Sequence, residues 1–171
     1  MSSLTKEHGH DDRIAYDKLL LTTGGAPRRL PVPGADLTGV TTLRLPPDAF
    51  YIAEHATDRD VVIVGASFIG MEVAAAVVKR AKSVTVVDRN KTPFAKALGR
   101  AVGDIIRGWH EEAGVRFVTE QRVTEFVSDD GGQNLAGVVL ENGERLPAGL
   151  ALMGLGIQPN TYMVRDLQVP Y

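Results

Sequence analysis

Gly65, Ser67, Gly70 and Asp88 are the residues whose types and spacing point to a chemistry. The first three belong to Gly65-Ala66-Ser67-Phe68-Ile69-Gly70, which has the spacing of a G-x-G-x-x-G phosphate-binding turn with serine in the middle place. Gly65 permits the tight turn, and Gly70 lets a following helix lie close against the preceding strand. Ser67 puts a small side chain and a hydroxyl donor where the backbone must come nearest the phosphates. Asp88 follows 23 residues after Gly65, and a dinucleotide site wants a carboxylate about 20 residues on, to accept hydrogen bonds from the adenosine ribose. The implied chemistry is recognition: a pyrophosphate on backbone amides and a ribose on a carboxylate. No residue is singled out as a catalytic acid, base or nucleophile, and none as a metal ligand.

The elements that must position these residues are legible around them. Val61-Val62-Ile63-Val64 is β-branched and apolar throughout, as in a parallel strand buried on both faces. Glu72 to Arg80 has alanine-rich helical composition with no breaker. Its free amides and the positive end of its dipole would face whatever sits over the turn. Ser83-Val84-Thr85-Val86-Val87-Asp88 reads as a second strand ending in the acid. A glycine-bearing βα turn that holds no ligand remains the alternative.

Composition sets outer bounds. The 171 residues with 44% hydrophobic content suffice for one good core, and a net charge of −2 gives no reason to expect nucleic acid or an anionic membrane as partner. No run approaches the roughly 18 apolar residues of a membrane span, and MSSLTKEHGHDD lacks the apolar core of a signal peptide. The expectation is a soluble, intracellular, cytoplasmic chain. With no cysteine, disulfides, thiolate catalysis and cysteine metal sites are excluded.

Taken from the amino terminus, residues 1–12 read as a disordered polar segment, with His8, His10, Asp11 and Asp12 more consistent with a solvated terminus than with a metal site. Ile14 to Thr23 reads as a hairpin edge running into an apolar strand, stopped by Gly24-Gly25-Ala26-Pro27. Arg28 to Gly39 is a proline-bearing connector, Thr42-Leu43-Arg44 is a short extended piece, and Asp48 to His55 is a helix opened by Pro46-Pro47. Lys96 to Gly114 carries Leu98, Val102, Ile105, Ile106 and Trp109 at helical steps, which predicts a core-facing stripe that includes Trp109, with His110 at the surface. Val115 to Thr119 is a third parallel strand. Arg122 to Val127, Leu135 to Glu141 and Glu144 to Leu146, the last two joined by Asn142-Gly143, predict a three-stranded antiparallel meander. Leu150 to Gly156 then returns as an apolar strand. The fold class is α/β, a three-layer Rossmann-like domain whose parallel sheet is closed through a β-meander crossover.

The fingerprint, the meander and the closing Gly154-Leu155-Gly156-Ile157-Gln158-Pro159-Asn160 resemble the NAD domain of the pyridine nucleotide-disulfide oxidoreductase superfamily. The wording is similar to its ferredoxin-reductase and apoptosis-inducing-factor-like branch in Gly65 to Ala74, Thr92-Pro93-Phe94 and Leu98-Gly99. Tyr16 to Gly25 resembles that family's Y-D-x-L-L-x-A-T-G element, with threonine at Thr22. The absence of cysteine fits this branch rather than the one with a redox disulfide.

The resemblance implies an FAD/NAD(P)-binding fold and hydride passage from NADH to FAD, then on to an iron-sulfur acceptor of Rieske or ferredoxin type. It places Gly65, Ala66, Ser67, Phe68, Ile69 and Gly70 at the pyrophosphate and nicotinamide end. Phe68 would lie between nicotinamide and flavin when the nucleotide is absent, Glu72 would face the nicotinamide amide, and Gly156 the nicotinamide ribose. Lys96 would stand near the adenosine. Phe68 and Ile69 have packing as their plainer role, and Glu72 that of a first-turn carboxylate. Asp88 favours NAD by accepting two free ribose hydroxyls, while Arg89 beside it would favour the 2′-phosphate of NADP. Thr23 and Gly24 would be the remnant of the flavin site. On this reading residues 13–45 are a flavin-domain strand and connector, 46–165 the NAD(P)-binding domain and 166–171 a tail. The expectation is a fragment that binds NAD(H) but is not a complete reductase without its FAD domain, with apolar surface that would favour a homo-oligomer. A non-catalytic NAD(P)-binding or redox-sensing module is the alternative.

Overall fold

A computed structural model describes residues 3–5, 11–13 and 15–167. In chain order the strands and helices are β1 (Ser3–Thr5), β2 (Asp11–Arg13), β3 (Gly25–Pro27), β4 (Val40–Thr41), α1 (Pro46–His55), β5 (Asp60–Val64), α2 (Phe68–Val77), β6 (Ser83–Asp88) and α3 (Gly99–Glu112). They continue with β7 (Val115–Thr119), β8 (Val123–Ser128), β9 (Leu135–Leu140), β10 (Arg145–Pro147), β11 (Leu150–Met153), β12 (Ile157–Pro159) and a 3₁₀ turn at Tyr162–Leu167. The chain divides into two compact units, Gly25–Gln158 and the residues on either side of it.

The larger unit is built on a five-stranded sheet of order β4-β11-β5-β6-β7, parallel at every pairing. Its centre is apolar because both faces are covered, and side chains alternate between them with period two. Val61, Ile63, Val84, Val86, Leu150 and Leu152 point into one core with Ile52 of α1 and Ala56 just after it, Met71, Val73, Ala74 and Val77 of α2, and the edge of Ile106 from α3. Val62, Val64, Val87, Ala151 and Met153 point into the other, against Phe126, Leu135, Val138, Leu140 and Leu146 of the meander. The meander is antiparallel, with order β10-β9-β8. Helices, sheet and meander are therefore the three layers. Leu30, Val32, Ala35 and Leu37 of the proline-bearing connector pack against the meander-side core, so the connector is part of this unit by packing. The β3–β12 pair forms a separate two-stranded ribbon, in which a side chain at Gly25 would come within 2.9 Å of Gln158 O.

Several expectations need correction. Ser3–Thr5 pairs antiparallel with Asp11–Arg13, so those residues of the segment expected to be disordered form a ladder, which satisfies backbone groups whatever the side chains; His8 and His10 lie outside the described residues. Residues 15–24 form no strand, and Leu19 and Leu20 are exposed, because an apolar run becomes a strand only where a ladder partner lies alongside. Trp109 is 64% exposed rather than core. The face of α3 that packs inward is instead Gly103, Ile106 and His110. A side chain at Gly103 would stand 2.2 Å from Pro93 O, and His110 is half-buried with its ring nitrogens 2.8 Å from Ile106 O and 3.1 Å from Met71 O. Glycine at 103 allows the close approach to Pro93, and Val102, Ile105 and Trp109 are left outward. Among the described residues no helix is long and apolar enough to cross a membrane.

Candidate dinucleotide site

The first βαβ unit converges at the carboxyl ends of β5 and β6, the place where open α/β sheets bind ligands. Gly65 turns the chain with φ +105°, a left-handed value that favours glycine. A Cβ there would also stand 2.6 Å from Gly154 O. At Gly70 a Cβ would meet Gly65 O at 2.0 Å, so glycine here sets how closely α2 begins against the turn. Ser67 explains the departure from the glycine pattern. It is the N-cap of α2 with extended backbone, φ −92° and ψ −179°, a conformation any residue adopts. Its hydroxyl donates to Gly154 O at 2.7 Å and lies 3.4 Å from the Gly70 amide. The side chain thus turns onto β11's end and leaves the cap satisfied.

Asp88, at the end of β6, reaches back to the glycine turn. Its Oδ2 accepts the Ala66 N–H at 2.7 Å. Its Oδ1 accepts the Asn90 backbone N–H at 2.6 Å and the Asn90 side-chain amide at 2.8 Å. Asn90, which the sequence reading passed over, carries no motif signal beyond standing two residues after the acid.

A cavity of about 780 Å³ opens over this junction. It brings together Gly65, Ala66, Ser67, Phe68, Asp88, Arg89, Lys96 and Gly156 from the expected set. It adds Arg28, Arg29, Asn90, Phe94, Arg122 and Leu155. Five basic side chains and one carboxylate line it, a balance that suits a pyrophosphate. The donors and the α2 amino terminus, brought close under the turn by glycine at 65 and 70, fit a dinucleotide. Ile69, Gly70 and Glu72 do not line the cavity: Gly70 is buried under the turn, Ile69 packs against the helix-side core, and Glu72 is exposed. Thr23 and Gly24 lie in the smaller unit, where Thr23 Oγ1 donates to Asn160 O at 2.6 Å, the Asn160 side-chain amide donates to Thr23 O at 3.0 Å and the Asn160 N–H donates to Gly24 O at 2.9 Å. A second concavity beside the first is lined by Arg89, Asn90, Glu120, Arg122 and Glu141. Among the described residues no group of three or more His, Cys, Asp or Glu could hold a metal ion.

Residues 2–171 match the family described as pyridine nucleotide-disulphide oxidoreductase. The chain is 38% identical over 154 residues to apoptosis-inducing factor 3 of Mus musculus, covering 90% of this chain and 25% of that protein. It is 38% identical over 148 residues to rhodocoxin reductase of Rhodococcus erythropolis, covering 86% of this chain and 34% of that protein. Among solved structures it resembles putidaredoxin reductase in its covalent complex with putidaredoxin, with TM-score 0.86, 31% identity and coverage of 99% of this chain and 41% of that one. A ferredoxin reductase from Rhodopseudomonas palustris aligns with TM-score 0.85 and 31% identity over 96% of this chain and 40% of that one. The chain therefore spans only 25% to 41% of the length of these relatives. With its βαβ fingerprint, meander and closing strand, it belongs to the pyridine nucleotide-disulphide oxidoreductase family.

Proposed function

We propose that this chain is the NAD(H)-binding domain of a flavoprotein oxidoreductase, one that passes hydride from NADH to FAD and electrons onward to an iron-sulfur acceptor. The observation that carries the reading is the convergence of the Gly65 turn, the α2 amino terminus and the Asp88 carboxylate on one cavity. The acceptor class is supported by the reductases among its relatives, one of them solved in a covalent complex with putidaredoxin. When bound, the flavin would supply the hydride acceptor; this chain's residues bind and orient the donor. The phosphates would lie over the free amides at the start of α2, with Arg28, Arg29 and Lys96 supplying positive charge around them. The division into a flavin-domain remnant at 13–45 and an NAD(P)-binding domain at 46–165 follows family likeness, whereas compactness draws the line at Gly25 and Gln158.

NAD is favoured over NADP at Asp88. Its two oxygens offer about four acceptor sites, of which Ala66 and Asn90 take three. A ribose diol wants two, and the Asn90 side-chain bond is the one that can give way, since the others come from backbone amides. A 2′-phosphate would approach the neighbouring concavity, where Glu120 and Glu141 offset Arg89 and Arg122. Calorimetric titration with NADH, NADPH and FAD tests this. The expected result is saturable NADH binding, weaker NADPH binding, no FAD binding, and a loss of NADH affinity of about tenfold or more in Asp88→Ala. NADH binding that is indifferent to Asp88→Ala would refute the assignment, as would tighter binding of NADPH.

A further inference from the structure

One wall of the dinucleotide cavity is not explained by the glycine turn or the acid. Phe94, in the loop between β6 and α3, has φ +55°, a left-handed backbone that is an outlier for a bulky side chain. Backbone hydrogen bonds hold it there. Its N–H donates to Ala66 O at 3.2 Å, and its carbonyl accepts from the Ala97 and Leu98 amides at 2.8 and 2.9 Å. The first of these ties Phe94 to the phosphate-binding turn itself. Its ring stands 4.8 Å, centroid to centroid, from that of Phe68, with 50° between the planes. Phe68 is the first residue of α2, more than half exposed, and both residues line the cavity. Part of Phe94 packs against the helix-side core, but packing alone does not require a strained backbone pinned to Ala66. Strain of this kind concentrates where a site must be held in one geometry.

On the dinucleotide reading above, Asp88 takes the adenosine ribose and the start of α2 takes the pyrophosphate, so the nicotinamide half runs past Phe68 toward Leu155 and Gly156. We propose that Phe94 is a positioning residue for that half: its ring supports Phe68 in the position from which Phe68 flanks the nicotinamide. Tilted aromatic pairs are favourable in this geometry, and Phe68 stays more than half exposed beside Phe94. This inference rests on the dinucleotide reading and extends it to a residue in the loop after β6.

The test compares NADH with ADP-ribose, which keeps the adenosine, the pyrophosphate and the second ribose but lacks nicotinamide. Both are titrated into the wild-type chain and into Phe94→Leu, Phe94→Met and Phe94→Tyr, with melting temperatures recorded alongside. Phe94→Leu and Phe94→Met should weaken NADH binding by about two- to tenfold and leave ADP-ribose binding nearly unchanged, while Phe94→Tyr, which keeps the ring, preserves both. The methionine variant keeps much of the volume without the ring and carries the test should the leucine variant not fold. Equal losses for the two ligands, or undiminished NADH binding in a folded Leu or Met variant, would overturn the buttress. Equal affinity of the wild type for NADH and ADP-ribose would do so as well. A wild-type chain that binds neither ligand would instead overturn the dinucleotide reading on which the buttress rests.

Discussion

Asp88 and Asp60 stand at opposite ends of neighbouring strands and use their carboxylates differently. Asp88 is bonded by the Ala66 amide and by Asn90 at the mouth of the cavity, so its geometry is fixed before any ribose arrives, which lowers the cost of ordering it on binding. Asp60, at the start of β5, serves only the fold. Hydrogen bonds from Lys82 at 2.9 Å and from the Ser83 hydroxyl at 2.7 Å hold its carboxyl below the ordinary value of 3.8. Because the folded value is depressed, this contribution to stability is complete above pH 3.8 and is lost as the pH falls through the folded value. Urea denaturation should therefore show the gap between wild type and Asp60→Asn closing as the solution is acidified below 3.8. A gap that stays constant into strong acid would contradict the ion pair. The pair is partly solvated, so the effect should be modest and smaller at high salt.

Glycine spacing fixes how α2 meets the turn. A Cβ at Gly70 would fall 2.0 Å from Gly65 O, and both atoms belong to backbone that cannot swing aside. Gly70→Ala should destabilise the chain by about 1–3 kcal/mol through overpacking, read as a fall in the urea midpoint, and weaken NADH binding because the α2 amides shift. An unchanged midpoint would mean that the helix does not begin where it is described. These elements were legible in the sequence because each rests on a local rule: continuous apolar runs for strands buried on both faces, Asn142-Gly143 for the hairpin turn, and glycine at 65 and 70 for the βα junction. Ser67 was legible as a departure but not as a tie to the end of β11, since Gly154, whose carbonyl its hydroxyl meets, lies 87 residues away. Asn90 stands two residues from Asp88 but carries no motif signal, and Phe94 was unreadable as a site residue because Phe68 comes beside it only in the folded chain.

Burial across the molecule is where residue patterns misled. The helical stripe on α3 predicted Trp109 in the core, yet Val102, Ile105 and Trp109 face outward, while the inward positions are Gly103, Ile106 and His110. Apolar periodicity identifies a helix and one of its faces, but not whether that face is covered, because exposed apolar residues are common on folded surfaces. The same limit explains Leu19 and Leu20, apolar in sequence and exposed in the structure. Trp109→Gln should leave stability within about 0.5 kcal/mol of wild type, as for an ordinary surface position; a loss of about 3–5 kcal/mol, the cost of truncating a buried large side chain, would put Trp109 back in a core. By contrast, the two-sided burial of the sheet was readable, since strands β5, β6 and β11 divide their side chains between the helix-side and meander-side cores.

The central claim is that one cavity at the carboxyl ends of β5 and β6 receives NADH. It is tested most directly by following backbone amide resonances of the 18.4 kDa chain during an NADH titration. The account predicts saturable shifts at Gly65, Ala66, Phe68, Gly70, Asp88 and Gly156, with the meander residues Val138 and Leu146 unmoved. Saturable shifts centred on the meander, or none anywhere at millimolar NADH, would contradict it.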